Sequence, residues 1–198
     1  MLKLHLGAFD CSIDGWVNTD ITPHIWVSRI PGLAFALKLA GKMDEARYAQ
    51  HRDGVFRQLR YVDLTRPLPF PGNSVSAVFS SHVFEHLFSD EVGRLIAEIH
   101  RVLAPGGVCR VVVPDLDKIV AGYDRERPEQ FLLEIFEIGE RKKIRTGHHT
   151  GFTGPHISRL FTECGFSAAT ICAYQQGDCP DVEKLDNRPE SLFFEARK

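Results

Sequence analysis

The stretch from Val75 to Asp115 carries the pattern of a buried strand, an amphipathic helix and a second buried strand. An apolar run that begins at Val75 ends abruptly in the polar triplet Ser80-Ser81-His82. Ser89 is placed to cap the helix that follows, and Pro105-Gly106-Gly107 is placed to end it. The β-branched run after the helix is typical of a parallel strand covered on both faces. This crossover predicts an α/β protein whose chemistry lies at the strand ends.

The remaining apolar runs add short strands to this unit, giving about seven in all. Only twelve residues separate Gly7 from Asp20, so the helix between the first two strands is expected to be stunted or missing. We predict strands at 2–6, 17–20, 61–63, 75–79, 108–113, 168–174 and 192–196. We predict further helices at 31–41, 44–51, 128–143 and 156–164, with Phe131, Leu132, Ile135, Phe136 and Ile138 facing inward.

The size and charge of the chain favour a small-molecule partner. Its 198 residues suit a single domain that spans residues 1–198. The formal net charge of −2 provides no basic surface that would drive nucleic-acid binding. The one basic cluster is predicted to be a solvated helix end, and it comprises Arg141, Lys142, Lys143 and Arg145. The sequence leaves the oligomeric state open.

The five cysteines are an odd number without a CxxC pair, which favours a reducing compartment and predicts a cytoplasmic protein. The N-terminal residues lack the pattern of a signal peptide. The most apolar stretch, residues 30–40, is too short to span a bilayer. It lies in a long connection over residues 22–60, where it is expected to pack in the core. The alternatives are a lid over a ligand pocket or a surface for a lipid-linked or protein partner.

Three successive strands end in groups suited to a ligand: Gly7, Asp20 and Asp63. A parallel sheet brings such residues together at its carboxyl edge. A glycine lets the backbone approach a ligand closely, and a carboxylate accepts strong hydrogen bonds from ribose hydroxyls or an exocyclic amine. An NAD-dependent oxidoreductase is disfavoured, because no GxGxxG follows the first strand.

Three segments carry a resemblance to a known family: LHLGAFDCSIDGWVNTDI, RYVDLTRPLPFPGNSVSAVFSSHVFEHL and RVLAPGGVCRVVVPDL. Together they resemble the class I methyltransferases that use S-adenosylmethionine, in particular the type 11-like bacterial group. The resemblance implies a Rossmann-like methyltransferase fold, mostly parallel with a reversed last strand. It also implies that S-adenosylmethionine is the cofactor.

The resemblance further implies a role for individual residues. The methionine end of the cofactor would lie against Gly7, Ala8 and Phe9, and the ribose against Asp20 and Ile21. Asp63 and Leu64 would receive the adenine, and Ser80, Ser81 and His82 would lie beneath the sulfonium.

The chain departs from the family at Phe9, where relatives usually have the second glycine of a GxG loop. A bulky side chain at this position either turns outward or obstructs the pocket. The alternative to an enzyme is therefore a catalytically degenerate member of the same fold that acts as a binding or scaffold module.

The remaining candidates are histidines and one further acid. A histidine is the usual base for a hydroxyl acceptor, so we predict catalytic roles for His82 and His86. Asp115 follows a core strand, where it either orients the acceptor or only caps the next helix. His148 and His149 belong to a substrate loop or to a plain surface loop.

The run His82-Val83-Phe84-Glu85-His86 also matches the H-x-x-E-H pattern of one class of zinc proteases. That interpretation requires a third ligand downstream. The run fits a strand-to-helix turn better, and in the simplest alternative Glu85 and His86 only hydrogen-bond the loop. We therefore expect no metal site and a metal-independent methyl transfer to a small molecule. By analogy with relatives, the acceptor is expected to be a hydroxyl of a sugar or glycan precursor.

Overall fold

A computed structural model of the chain describes residues 1–137 and 147–198. The basic cluster predicted as a solvated helix end lies outside the described residues, as do Ile138 and the last part of the helix predicted over 128–143.

Seven strands form one mixed sheet in the order β3-β2-β1-β4-β5-β7-β6. All neighbouring pairs from β3 to β5 are parallel, and β7 is antiparallel to both β5 and β6. This confirms the predicted mostly parallel sheet with a reversed last strand. The strands are β1 (Leu2–Leu6), β2 (Val17–Asp20), β3 (Arg60–Tyr61), β4 (Val75–Ser81), β5 (Leu103–Val113), β6 (Ala168–Cys172) and β7 (Leu192–Arg197).

The described residues contain eight α-helices and two 3₁₀ turns, the latter at Val55–Gln58 and Phe84–His86. Residues 7–16 contain no helix, as the short spacing between the first two strands predicts. In the part of the chain that the structure describes, no helix is both long and apolar enough to cross a membrane. The helices are α1 (His24–Arg29), α2 (Leu33–Leu39), α3 (Glu45–Arg52), α4 (Ser89–Val102), α5 (Leu116–Ala121), α6 (Pro128–Phe136), α7 (Gly154–Glu163) and α8 (Val182–Leu185).

Both predicted ends of α4 were wrong. Ser89 is the first residue of the helix instead of its cap, and the carboxylate of Glu91 accepts the N–H of Phe88 at 2.9 Å. The helix ends at Val102, three residues before the Pro-Gly-Gly run, because Leu103 is already extended and pairs with Val75 of β4.

Two predictions of buried helix faces were also wrong. α2 has no buried residue and exposes Phe35 and Leu39, so the 30–40 stretch does not pack in the core. α6 likewise has no buried residue, and Leu132 and Phe136 are exposed. Apolar periodicity identified these helices, but it does not reveal whether a neighbouring element covers them.

The core lies on both faces of the sheet. On one face, α4 and α7 pack against the strands through residues such as Ile96 and Phe161, which are fully buried. On the other face, β5 buries Arg110 completely, and its guanidinium bonds Asp186 and lies 2.8 Å from a Glu195 oxygen. This ion cluster links Asp186 and Glu195 to β5. Loss of Arg110 would leave two buried carboxylates without a paired charge, which is costly.

Burial lowers the pKa of His5 on β1 to about 4. Its side chain is 3% exposed and contacts the Phe79 ring edge-on, with ring centroids 5.1 Å apart. Because His5 stays neutral in the fold below the pH at which the unfolded chain takes up a proton, the protonation of His5 opposes folding in mild acid.

We expect the free energy of unfolding to fall between pH 7 and pH 4.5, with His5 contributing about 2–3 kcal/mol of the loss. The stabilisation is complete above the unfolded pKa of about 6.5 and is lost toward pH 4. Urea titrations of the parent and of His5→Gln at both pH values measure this, and the free energy of unfolding should fall less in the variant. His24 and His51, whose pKa values burial also lowers, keep a residual dependence. His100→Gln, the control, should behave as the parent, and equal losses in parent and His5→Gln would contradict the assignment.

Candidate functional site

The pairing of three strands places the predicted cofactor residues side by side. Leu6, the last residue of β1, pairs with Thr19 of β2 on one side and with Ser80 of β4 on the other. The next residue along each strand is Gly7, Asp20 or Ser81. These three therefore lie at adjacent positions on the carboxyl edge of the sheet, where α/β proteins bind ligands.

Gly7 permits a close approach of two chain segments at this edge. Its φ is +73°, and a β-carbon there would lie 2.3 Å from Cγ2 of Val83. A side chain at position 7 would therefore clash as well as strain the backbone. The adjacent Ala8 is buried and donates its N–H to the Thr19 carbonyl at 2.8 Å.

Phe9 adopts the left-handed conformation, with a φ of 43°, which glycine adopts more readily. Its ring packs against Phe56 with centroids 6.0 Å apart, and the Arg47 guanidinium lies 4.6 Å from the ring centroid. His24 contacts the same ring at 6.4 Å. The helical connection between β2 and β3 therefore fixes the Phe9 ring.

Asp20 is held by backbone donors on both carboxylate oxygens. Oδ2 accepts the N–H of Phe9 at 3.1 Å, and Oδ1 accepts the N–H of Thr22 at 2.7 Å. Burial raises the pKa of this carboxyl above its ordinary value, and the N–H donors oppose the shift. The neighbouring Ile21 is 60% exposed, which leaves an apolar surface beside the carboxylate.

Asp63 and Leu64 differ in what they can offer a ligand. Oδ1 of Asp63 accepts both the N–H and the hydroxyl of Thr65, at 3.0 and 2.7 Å, and Oδ2 lies 3.2 Å from Arg66. The carboxylate is thus occupied locally in this structure. The Leu64 side chain belongs to the main core.

Ser80 is buried, and its hydroxyl donates to the Leu6 carbonyl at 3.2 Å, which ties β4 to β1. Ser81 is half-buried at the end of β4. Of the two serines, Ser81 is therefore the more accessible to a ligand at the carboxyl edge.

His82 turns the chain away from the sheet in a left-handed conformation, with a φ of 52°. This costs about 1–3 kcal/mol for a residue other than glycine and is found most often at functional sites. Nε2 of the ring lies 2.9 Å from the Ser191 hydroxyl, and Nδ1 approaches Glu85 Oε1 to 3.1 Å without hydrogen-bond alignment.

Glu85, His86 and His148 come together although 62 positions separate the last two. Their potential ligand atoms all lie within 4.8 Å of one another. Nδ1 of His86 is 3.2 Å from the Gly147 carbonyl, and Nδ1 of His148 is 3.0 Å from the Ile135 carbonyl. From the sequence, His86 is predicted to be catalytic and His148 to contact the substrate, with Glu85 and His86 as loop partners in the simplest alternative. The contact between the three residues is not predicted.

His149 and Asp115 are placed differently from the other candidates. The His149 ring stacks on Phe88, with centroids 4.3 Å apart, and it does not belong to the group formed by Glu85, His86 and His148. Asp115 caps α5 by accepting the N–H groups of Asp117 and Lys118 at 3.1 and 3.3 Å. The capping role that the sequence left open is therefore present, while its Oδ2 faces the Lys118 ammonium at 3.4 Å.

A cavity of about 540 Å³ lies beyond the carboxyl ends of β4 and β5. A volume of this order suits a small-molecule ligand. Lys118, three residues after Asp115, and Ser191 also line the cavity. Nothing in the sequence around Ser191 indicated this, because the fold brings it in from a distant segment. Its wall includes His82, Glu85, His86, Asp115, His148 and Ser191.

The strand order and the reversed β7 are those of the class I methyltransferase fold. Residues 25–111 match the family model described as "Methyltransferase domain", of the type 11 group. The chain is also 28% identical over 129 residues to the uncharacterized protein YBR225W of Saccharomyces cerevisiae. That alignment covers 56% of this chain and only 14% of the yeast protein.

Solved structures share the fold at low sequence identity. An S-adenosylmethionine-dependent methyltransferase from Mesorhizobium loti matches with a TM-score of 0.53 and 19% identity, covering 100% of this chain and 90% of that one. A possible histamine N-methyltransferase from Thermotoga maritima matches with a TM-score of 0.55 and 12% identity, and the match covers 100% of this chain and 82% of that one. The CurJ carbon methyltransferase matches with a TM-score of 0.51 and 15% identity, and the match covers 98% of this chain and 47% of the CurJ chain.

The chain therefore has the fold of the class I methyltransferases, and its residues 25–111 are similar to a methyltransferase domain.

Proposed function

We propose that the chain transfers a methyl group from S-adenosylmethionine to a hydroxyl of a small polar molecule bound in the 540 Å³ cavity. The observation that carries this proposal is the position of the cavity beside Ser81-His82, next to the predicted place of the sulfonium. Two features support the cofactor's place: Gly7 has no side chain at the end of β1, and Asp20 offers a carboxylate at the adjacent strand end.

The cofactor supplies an activated methyl carbon: the acceptor oxygen forms the new C–O bond while the C–S bond breaks and its electron pair stays on sulfur. The chain therefore has to position the acceptor, exclude water and accept the hydroxyl proton.

We assign the proton to Nε2 of His82. The ring lines the cavity, and Nε2 lies 2.9 Å from the Ser191 hydroxyl, a contact that fixes the orientation of the ring. The left-handed backbone of His82 fixes the direction in which the ring leaves the end of β4.

The cavity lining supports a polyhydroxylated acceptor, such as a sugar or a glycan precursor. Besides the histidines it contains Asp115, Glu134 and Glu190 as acceptors and Lys118 and Arg188 as donors. A lining so rich in hydrogen-bonding groups would match several hydroxyls and would be a poor site for an apolar molecule.

The net charge of the whole chain, −2, supports a small molecule over nucleic acid as the partner. A cytoplasmic location is also part of the proposal. It is supported by the five cysteines, all of which are free thiols.

We expect Asp20→Asn to weaken S-adenosylmethionine binding by about 10-fold or more, because a charge-assisted hydrogen bond to the ribose contributes about 1.5–3 kcal/mol. Isothermal titration calorimetry measures this. Asp14→Asn, an exposed acid between the same two strands, is the control and should bind as the parent. Equal affinities for Asp20→Asn and the parent would contradict the assigned ribose contact.

We expect release of S-adenosylhomocysteine to increase when monosaccharides or nucleotide sugars are supplied as acceptors. His82→Gln should then lower kcat by about 100-fold or more while the Kd for S-adenosylmethionine stays within about threefold, because the loss of a general base affects only the chemical step. A coupled assay for S-adenosylhomocysteine measures kcat. Unchanged kcat in the variant would exclude His82 as the proton acceptor, and turnover only with apolar or amine acceptors would exclude the proposed acceptor class.

A further inference from the structure

We propose that Glu85, His86 and His148 bind a divalent first-row transition-metal ion on the wall of the acceptor cavity. Two imidazole nitrogens and one carboxylate oxygen form the ligand set that such ions bind with open coordination positions. The proposal replaces the expectation of a metal-independent enzyme. The site shares Glu85 and His86 with the H-x-x-E-H run and takes its third ligand from His148, while His82 stays outside the ligand set.

The geometry of the two histidines prepares them as ligands. Both rings have Nδ1 within hydrogen-bond distance of a backbone carbonyl, from Gly147 for His86 and from Ile135 for His148. A carbonyl accepts only from an N–H, so the proton of each neutral ring lies on Nδ1 and the lone pair on Nε2. Metal-binding histidines are commonly oriented by such a bond from their second nitrogen.

Glu85 supplies an independent observation. Its side chain is 2% exposed, and among the described residues neither carboxylate oxygen has a hydrogen-bond partner. His82 Nδ1 lies 3.1 Å from Oε1 but is poorly aligned. A buried carboxylate without partners is costly, and a bound cation would compensate for that cost.

The distances require only a small closure. Metal–ligand bonds of about 2.1 Å place two ligands of one ion at most about 4.2 Å apart, whereas the three ligand atoms lie within 4.8 Å of one another. Side-chain adjustments of less than about 1 Å thus bring the ligand atoms to bonding distances. The exposed carboxylate of Glu137, 3.3 Å from His148 Nε2, is placed to add a fourth oxygen or to withdraw.

The backbone fixes His148 relative to Glu85. The N–H groups of His149 and Thr150 both donate to the Glu85 carbonyl, at 2.7 and 3.1 Å, and the Thr150 hydroxyl donates to the Leu87 carbonyl at 2.7 Å. The cluster is therefore built by the fold, since these contacts link two loops far apart in sequence.

All three ligands line the same cavity, so an open coordination position would face the acceptor. An ion there would bind the acceptor oxygen and make its hydroxyl more acidic, with His82 receiving the proton. This role, unlike ion binding itself, rests on the proposed function.

The test uses the untagged full chain after treatment with EDTA, and supplies Zn²⁺, Mn²⁺ and Co²⁺ one at a time. We expect at least one of these ions to bind with one-to-one stoichiometry in calorimetry and to raise Tm, without S-adenosylmethionine present. Glu85→Gln and His148→Gln should each weaken this binding by more than about 100-fold, since even the loss of an outer-shell partner costs 10–100-fold. His149→Gln, in the same loop, should bind within about twofold of the parent, because its ring stacks on Phe88.

Tm of the metal-free protein gives a readout without any ion. Glu85→Gln should keep or raise it, because an amide costs less to bury than an unpartnered carboxylate. Failure of all three ions to bind the parent would overturn the proposal, as would binding that persists in His148→Gln. S-adenosylmethionine binding, measured separately on metal-free protein, tests the proposed function, so either proposal can fail without the other.

Discussion

The parallel pairing of β4 with β1 on one side and β5 on the other determines where every candidate group lies. Ser80 is in register with Leu6, and Ser81 with Val112, so the three strands end at one level. The proposed cofactor residues Gly7 and Asp20 follow β1 and β2 at that level. The cavity proposed for the acceptor opens beyond β4 and β5, and the end of β4 therefore adjoins both regions.

Two residues other than glycine adopt left-handed backbone conformations at this edge, and each is held by its surroundings. The Phe9 ring packs on Phe56 beneath Arg47, while its N–H bonds Asp20. The ring of His82 lies between Ser191 and Glu85. In both cases side-chain contacts offset the backbone cost and fix the direction of the chain where it leaves the strand.

Local pattern predicted much of the fold, because strand periodicity and acids at strand ends are local features. The seven strands and the lack of a helix between β1 and β2 followed from it, whereas the reversed β7 was implied by the resemblance to the methyltransferase family. The N-cap of α4 did not follow from local pattern. Serine is a common N-cap residue, but here Phe88 takes the cap position and its N–H donates to the Glu91 carboxylate. The predicted burial of α2 and of Leu132 was also wrong, because a periodic apolar face does not show whether another element covers it. The contact between His86 and His148 depends on two loops that meet only in the folded chain.

The central claim is that S-adenosylmethionine binds at the ends of β1, β2 and β4 with the Phe9 ring in its packed position. Calorimetric titration of the parent and of Phe9→Gly with S-adenosylmethionine tests this most directly. The parent should bind, and the variant should bind within about threefold of it while unfolding at a lower Tm, because the ring contributes packing and no cofactor contact. A parent that does not bind, beside a variant that does, would contradict the claim and identify the chain as a degenerate methyltransferase.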